Sequence, residues 1–208
     1  MKRIHIIIYM LLLSIFLAGC NKNISSDLLD LDKYDVVDVL SFQYSSHSTK
    51  DIILYDIPIE FDILLYNENK KLDSFNNLIQ KSDTNYYINH LYLSTLNTST
   101  LNFYITYNTN VWDITIHFFD HSSPYIITNP EIKLSNVNDI YFQFDLFGGF
   151  IDKVNGVDIT ENDYDIFNDL LIIHKDYLSS FQDNEFPLVI NYVLNSNDIV
   201  MGIIVITI

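Results

Sequence analysis

Apolar and polar residues alternate in short runs along most of this chain. In the first half Ile57, Ile59, Phe61 and Ile63 alternate with Pro58, Glu60 and Asp62. In the second half Ile140, Phe142, Phe144 and Leu146 alternate with Tyr141, Gln143 and Asp145. A period of two puts one set of side chains on one face of a sheet, so each run predicts a half-buried strand. Such runs recur at short spacing with no long helical pattern between them. That rhythm predicts an all-β sandwich architecture. Leu28 to Val37 could instead form a short helix.

The pattern also repeats at longer range. Phe61-Asp62 answers Phe144-Asp145 at an offset of 83 residues. His90-Leu-Tyr-Leu-Ser-Thr-Leu96 answers Lys175-Asp-Tyr-Leu-Ser-Ser-Phe181, with Tyr92 matching Tyr177 at an offset of 85. Leu101 to Tyr107 answers Phe186 to Tyr192 at the same offset. Both halves close in β-rich runs, Trp112 to Phe119 and Ile199 to Ile208. A period of this length suits one immunoglobulin-like sandwich per repeat. The expected fold is therefore two tandem immunoglobulin-like antiparallel sandwiches, residues 34–122 and 123–208. One larger sandwich with coincidental similarity is the alternative. The breaker signals His-Ser-Ser-Pro124 and Thr-Asn-Pro130 place the boundary near 121–130.

The N-terminal segment follows different rules. Lys2 and Arg3 precede an apolar run from Ile6 to Leu17, broken only by Ser14. Leu17-Ala18-Gly19-Cys20 then closes the segment with small residues before a cysteine. That order predicts a secretory signal over residues 1–19. The run is shorter than the about 20 residues a spanning helix needs. Leu-Ala-Gly-Cys resembles the lipobox of bacterial lipoproteins. The resemblance implies cleavage before Cys20, a diacylglycerol on its thiol, and a membrane as partner. The chain would then be exported, lipid-anchored and outward-facing. Residues 20–33 are polar and acidic and predict a tether. The alternatives are a plain signal peptide or an uncleaved anchor.

Composition narrows the partners. Cys20 is the only cysteine, so no intrachain disulfide can form. Loss of residues 1–19 would take the formal charge from −16 to −18. Nucleic acid and polybasic membrane contact are disfavoured, since both need clustered basic residues. Ala18 is the only alanine and Arg3 the only arginine. Those absences point to an AT-rich genome, and they lower helix propensity relative to strand.

The second half carries the sharper pattern. Asp139 to Leu146 reads as a strand, and Asn155-Gly156 as a type I′ hairpin turn. Asp163-Tyr-Asp-Ile166, a short hairpin, Leu170 to His174 and Asp176-Tyr-Leu178 follow, then two closing strands. This succession resembles the X2 family of immunoglobulin-like modules from bacterial surface proteins. The first half resembles a degenerate copy without the Asn-Gly turn. The second half departs from the family at Asp183-Asn-Glu185, where a glycine is usual. The resemblance implies a spacer or solubilising module with weak polysaccharide or cell-wall contact and no catalysis.

Three constellations are candidate sites. His117 and His121, with Asp120 between, could hold a metal on a helix; on a strand they stand about 13 Å apart, too far for one ion. Asp152, Asp158, Glu161, Asp163 and Asp165 could bind calcium, but they alternate with apolar Val157, Ile159, Tyr164 and Ile166 and lack the EF-hand order. A solvated hairpin face is the plainer reading, with Asp163 and Asp165 bonding turn amides. Phe61, Phe103, Tyr107, Phe142, Phe144 and Tyr192 fall on the inward phase, and Trp112 reads as a core anchor. Tyr104, Phe119 and Tyr141 fall on the outward phase and are the candidates for a sugar platform. No nucleophile elbow, zinc helix, phosphate loop or dinucleotide fingerprint is present. The expectation is a non-enzymatic surface lipoprotein that spaces or displays a binding face toward a surface protein or polysaccharide. It needs no cofactor and no metal. A carbohydrate- or wall-binding module is the alternative.

Overall fold

The computed structural model describes residues 29–55, 57–60, 63–67, 70–71, 78–134, 136–182, 186–196 and 199–207. Cys20, the leader and Phe61 lie outside the described residues.

A 3-10 turn at Leu31–Lys33 leads into β1 (Asp35–Ser45). Then follow β2 (Ile52–Leu54), β3 (Leu64–Asn67), β4 (Lys70–Lys71), β5 (Ile79–Lys81) and β6 (Tyr86–Ile88). A single helical turn, α1 (His90–Leu93), precedes the hairpin of β7 (Thr100–Tyr107) and β8 (Asn110–Phe119). These strands form two sheets, β1-β8-β7-β3-β4 and β2-β6-β5. The second half contains β9 (Tyr125–Ile126), β10 (Glu131–Lys133), β11 (Ile140–Asp145), β12 (Phe150–Gly156), β13 (Tyr164–Phe167) and β14 (Leu170–Ile173). It ends with α2 (Lys175–Ser179), β15 (Leu188–Asn195) and β16 (Ile199–Thr207). Its sheets are β10-β16-β15-β12 and β13-β14-β11-β9.

The two halves share one topology. In each, a strand near the start runs parallel to the last strand, β1 with β8 and β10 with β16. In each, the last two strands form an antiparallel hairpin, and a middle strand pairs with the first of them. In the opposite sheet β6 lies between β2 and β5, as β14 lies between β11 and β13. The chain is all-β, with two tandem immunoglobulin-like sandwiches. The only helices among the described residues are short turns.

The helical turns close corresponding corners. Leu93 and Leu178 are fully buried at their ends. Their first free N–H groups, which no i−4 carbonyl can satisfy, find the same kind of partner. The His90 N–H donates to Asp51 Oδ1 at 2.8 Å, and the Lys175 N–H donates to Asp139 Oδ1 at 2.8 Å. Each aspartate immediately precedes a core strand, so one residue type ties strand to corner in both halves.

Some elements differ from expectation. Residues 57–60 form bends and turns, not a strand, because Pro58 supplies no ladder donor. By its place in the topology the counterpart of β11 is β2; the match of Phe61-Asp62 with Phe144-Asp145 falls outside the described residues. Asn155 and Gly156 remain in β12, paired with Asn191 and Ile190. The chain turns one step later, where Asp158 adopts φ 53°. Of the short helix expected over Leu28 to Val37, the described residues from 29 onward form only the 3-10 turn, because β1 extends the first sheet from Asp35. Val157 and Ile166 are exposed rather than buried.

Two hydrophobic clusters fill the sandwiches. The first gathers Phe42, Leu65, Phe103, Ile105, Trp112 and Ile114 among others. The second gathers Phe142, Phe144, Leu171, Leu178, Tyr192 and Ile204 among others. Tyr107 packs half-buried against the first. Between the two the chain alternates: Tyr125 and Ile127 enter the first cluster, and Ile126 enters the second. Period-two geometry lets one short extended segment serve both cores.

Candidate interaction site: the joint and cleft between the sandwiches

The shared segment makes the joint. The Gln43 N–H donates to the Ile127 carbonyl at 2.7 Å, and the Asn129 N–H donates to the Ser41 carbonyl at 3.0 Å. On its other side the Ile127 N–H donates to the Gln143 carbonyl at 2.7 Å. Backbone bonding therefore runs from β1 of the first sandwich to β11 of the second.

Two buried polar side chains lock this arrangement. Gln143 is 3% exposed. Its Nε2 donates to the Asp51 carbonyl at 2.8 Å, and its Oε1 accepts the Ile53 N–H at 3.0 Å. An amide offers one donor end and one acceptor end, and both ends are used on the backbone at the start of β2. Asp145, also 3% exposed, accepts from the Ser48 hydroxyl at 2.5 Å. The Tyr125 hydroxyl accepts the Ser45 N–H at 3.0 Å, and burial pushes its pKa up to about 12. Ser45 Oγ in turn donates to the His121 carbonyl. Lys50 and Asp169 form a half-exposed ion pair at 2.7 Å. Buried polar groups cost free energy unless paired, so these pairings hold the sandwiches in one mutual orientation.

Beside the joint lies an open cleft of about 640 Å³. One wall is the first half of β1, where Val36, Val37 and Val39 are exposed. The other wall comes from residues 129, 131–134, 136 and 138–141. Tyr55 and Tyr141 stack across the two sandwiches at 4.6 Å, tilted by 13°. Burial, then Asp169 and Tyr141, pushes the Tyr55 phenol up to about 12. The volume falls in the range of small-molecule sites, and the walls mix apolar residues with polar ones such as Asp38, Asn129, Glu131 and Lys133.

The candidate residues distribute as follows. Tyr141 lines the cleft. Tyr104 is half-buried on β7, and Phe119 is half-buried against Tyr125 at 4.8 Å, so the three do not form one platform. Trp112 is buried in the first core. His117 lies within β8, paired with Gln43 and Thr100. His121 follows the strand and accepts the Ser123 N–H at its Nδ1. Asp120 holds His47 at 2.8 Å and the Ser46 hydroxyl at 2.7 Å, and these bonds lower its pKa. Asp163 accepts both the N–H and the hydroxyl of Thr160 at 2.7 Å, which lowers its pKa. Asp165 bonds the His174 ring at 3.0 Å rather than a turn amide. Asp152, Asp158 and Glu161 are exposed. Among the described residues no three metal-binding side chains form a group.

Tyr177 is 5% exposed and its hydroxyl donates to the Val157 carbonyl at 2.7 Å. Its counterpart Tyr92 is only half-buried. The local sequence pattern does not mark Gln143, Asp145 and Asp51 as polar keys of the joint. The one visible signal was polar residues inside an otherwise apolar strand, Phe-Gln-Phe-Asp.

No family model matches the chain, and no curated protein matches it. Solved structures do. One is a tri-modular GH5 endo-β-1,4-glucanase from Bacillus licheniformis, 13% identical, covering 80% of this chain and 37% of that one, with TM-score 0.31. The chain thus spans little over a third of that enzyme. Another is Dscam, 8% identical, covering 84% and 52%, with TM-score 0.36. A third is the N-terminal Ig1-2 module of the Drosophila receptor protein tyrosine phosphatase DLAR, 9% identical, covering 80% and 93%, with TM-score 0.28.

Proposed function

We propose that this chain is an exported lipoprotein, anchored through Cys20, whose paired sandwiches act as a rigid, non-enzymatic spacer and interaction module. The locked joint carries this reading. A flexible linker would let the modules sample many orientations. Here Gln143 and Asp145 bury their polar groups only in one orientation. Small-angle scattering of the chain from residue 21 should give one compact two-module shape. Gln143→Ala should broaden the distribution of intermodule distances. A wild-type profile that already needs an ensemble would overturn the rigid-spacer reading. For the anchor, mass spectrometry of the mature N-terminus should find a diacylated Cys20, and Cys20→Ser should abolish membrane retention.

The histidine–carboxylate pairs favour a structural role over catalysis. Ser46 donates to Asp120 rather than to the His47 ring, so the order of a nucleophilic triad is not met. His90–Asp51 and His174–Asp165 sit at the two helical turns.

A second reading rests on the cleft. Stacked Tyr55 and Tyr141 beside Asn129, Asn136 and Asn138 offer aromatic and amide groups of the kind that bind sugars. Wall polysaccharide binding would be lost in Tyr141→Ala. A glycan array with no signal removes this reading and leaves the spacer intact.

A further inference from the structure

The last strands of the two sandwiches are covered unequally. β8 is paired along its whole length by β1, from Asn110 to Phe119. β16 is paired on the matching side only at Val205 to Thr207, by β10. Among the described residues, no strand covers Ile199–Ile204 on that side. The Val205 N–H points outward and donates to the Pro130 carbonyl at 2.7 Å. Backbone direction alternates with period two, so Ile203, Met201 and Ile199 also aim their N–H and C=O groups at the open edge.

Sheet edges are normally protected by charge, proline or a covering segment. Ile199 to Thr207 contains no charged residue and no proline, in a chain of net charge −16. Ile199, Met201 and Ile203 are 69%, 78% and 54% exposed. The first sandwich shows what fits such an edge, namely an extended strand bonded along its length.

We propose that the open edge of β16 pairs with β16 of a second copy, antiparallel about a twofold axis near Met201. Such pairing uses residues 199–203 and leaves β10 in place. It joins two four-stranded sheets into one continuous sheet. The strand is chemically self-complementary, since apolar Ile and Met side chains meet themselves. Charge selects the site: most faces of two such acidic copies repel, and this segment has no charge to do so.

The test is sedimentation velocity on the chain from residue 21, which contains every core residue from Phe42 to Ile206. A monomer–dimer equilibrium is expected below about 1 mM, the effective concentration of closely tethered copies. Met201→Pro removes an outward N–H and no intrachain ladder bond, and should weaken dimerisation about tenfold or more. Should that variant unfold, Met201→Lys and Ile203→Lys place charge on exposed positions and should act alike. Phe167→Lys, at another exposed site, should leave association unchanged. The fragment has no cysteine, so oxidised Met201→Cys should trap the dimer. A chain monomeric throughout this range, or a dimer indifferent to Met201 and Ile203, overturns the proposal. So does a monomer that captures a foreign extended peptide along this edge.

Discussion

The same layer of the two sandwiches is filled in opposite ways. In the first, Leu65, Ile105 and Trp112 lie in register across β3, β7 and β8. In the second, Val154, Tyr192 and Gly202 lie in register across β12, β15 and β16. The bulky ring moves from the last strand to its neighbour, and the position it vacates becomes glycine. A Cβ at Gly202 would fall 2.3 Å from the Tyr192 ring. That ring is itself packed edge-on against Phe144 at 5.1 Å. Packing constrains the volume of a layer rather than the identity at each position. Two repeats can therefore share a topology while their sequences diverge.

The corners should tolerate least. Leu93 and Leu178 plug equivalent ends of the two cores, and both are essentially inaccessible. Leu178→Ala should cost about 2–5 kcal/mol, and Leu93→Ala a similar amount. Denaturant melts of the chain from residue 21 measure both. A shift below about 0.5 kcal/mol in either would mean that corner does not close a core.

The layer exchange gives the next effect. Gly202→Ala should cost about 1–3 kcal/mol, because Tyr192 cannot yield without disturbing Phe144. Pairing it with Tyr192→Leu should recover part of that loss. A double-mutant cycle with no coupling would break the claimed compensation of volume.

The tyrosines separate the modules further. Tyr177→Phe removes a buried bond to the Val157 carbonyl and should cost about 0.5–1.5 kcal/mol. Tyr92→Phe, at a half-exposed position, should change stability by less than about 0.5 kcal/mol. Equal effects would make the two corners alike, against the geometry.

The sequence carried the repeat and its period most clearly at these corners, because Tyr-Leu must follow a core strand in both halves. The all-β class was legible because alternation is a local signal. Ile57 to Glu60 alternates without forming a strand, because alternation does not distinguish a paired strand from an extended bend and Pro58 lacks a ladder donor. Asn155-Gly156 misled because β12 needs its last two residues for pairing with β15. The joint was scarcely legible. Gln143 finds its partners about ninety residues earlier, and nothing in the local pattern selects Asp51 and Ile53. The open edge of β16 is likewise a property of what fails to pair with it, which only topology reveals.

The smallest difference concerns pH. The residue before α1 is Asn89, whose side chain accepts the Leu91 N–H at 2.8 Å. The corresponding residue before α2 is His174, which makes no such cap. Its ring instead lies 3.1 Å from the Asn162 carbonyl at Nδ1 and 3.0 Å from Asp165 at Nε2. Both partners are acceptors, and only the protonated ring donates from both nitrogens. The hydrogen bond to Asp165 raises the His174 pKa above its usual 6.5, with the Asn162 carbonyl and the Asp165 and Asp139 charges adding to it. A raised histidine pKa stabilises the folded state fully below the unfolded value and loses that contribution as pH rises through the folded value. Asp163 has a lowered pKa and stays ionised across that range, so it does not contribute to the change. The pair is partly solvated, with the His174 and Asp165 side chains 31% and 70% exposed, which limits the effect. Raising pH from about 6 to about 8 should therefore cost the wild type roughly 0.2–0.5 kcal/mol relative to His174→Asn. That variant installs the residue type of the first corner, which does not titrate. Paired denaturant melts at the two pH values measure the difference. A gap that stays constant, or favours the wild type at high pH, would show that His174 is not held protonated by Asp165.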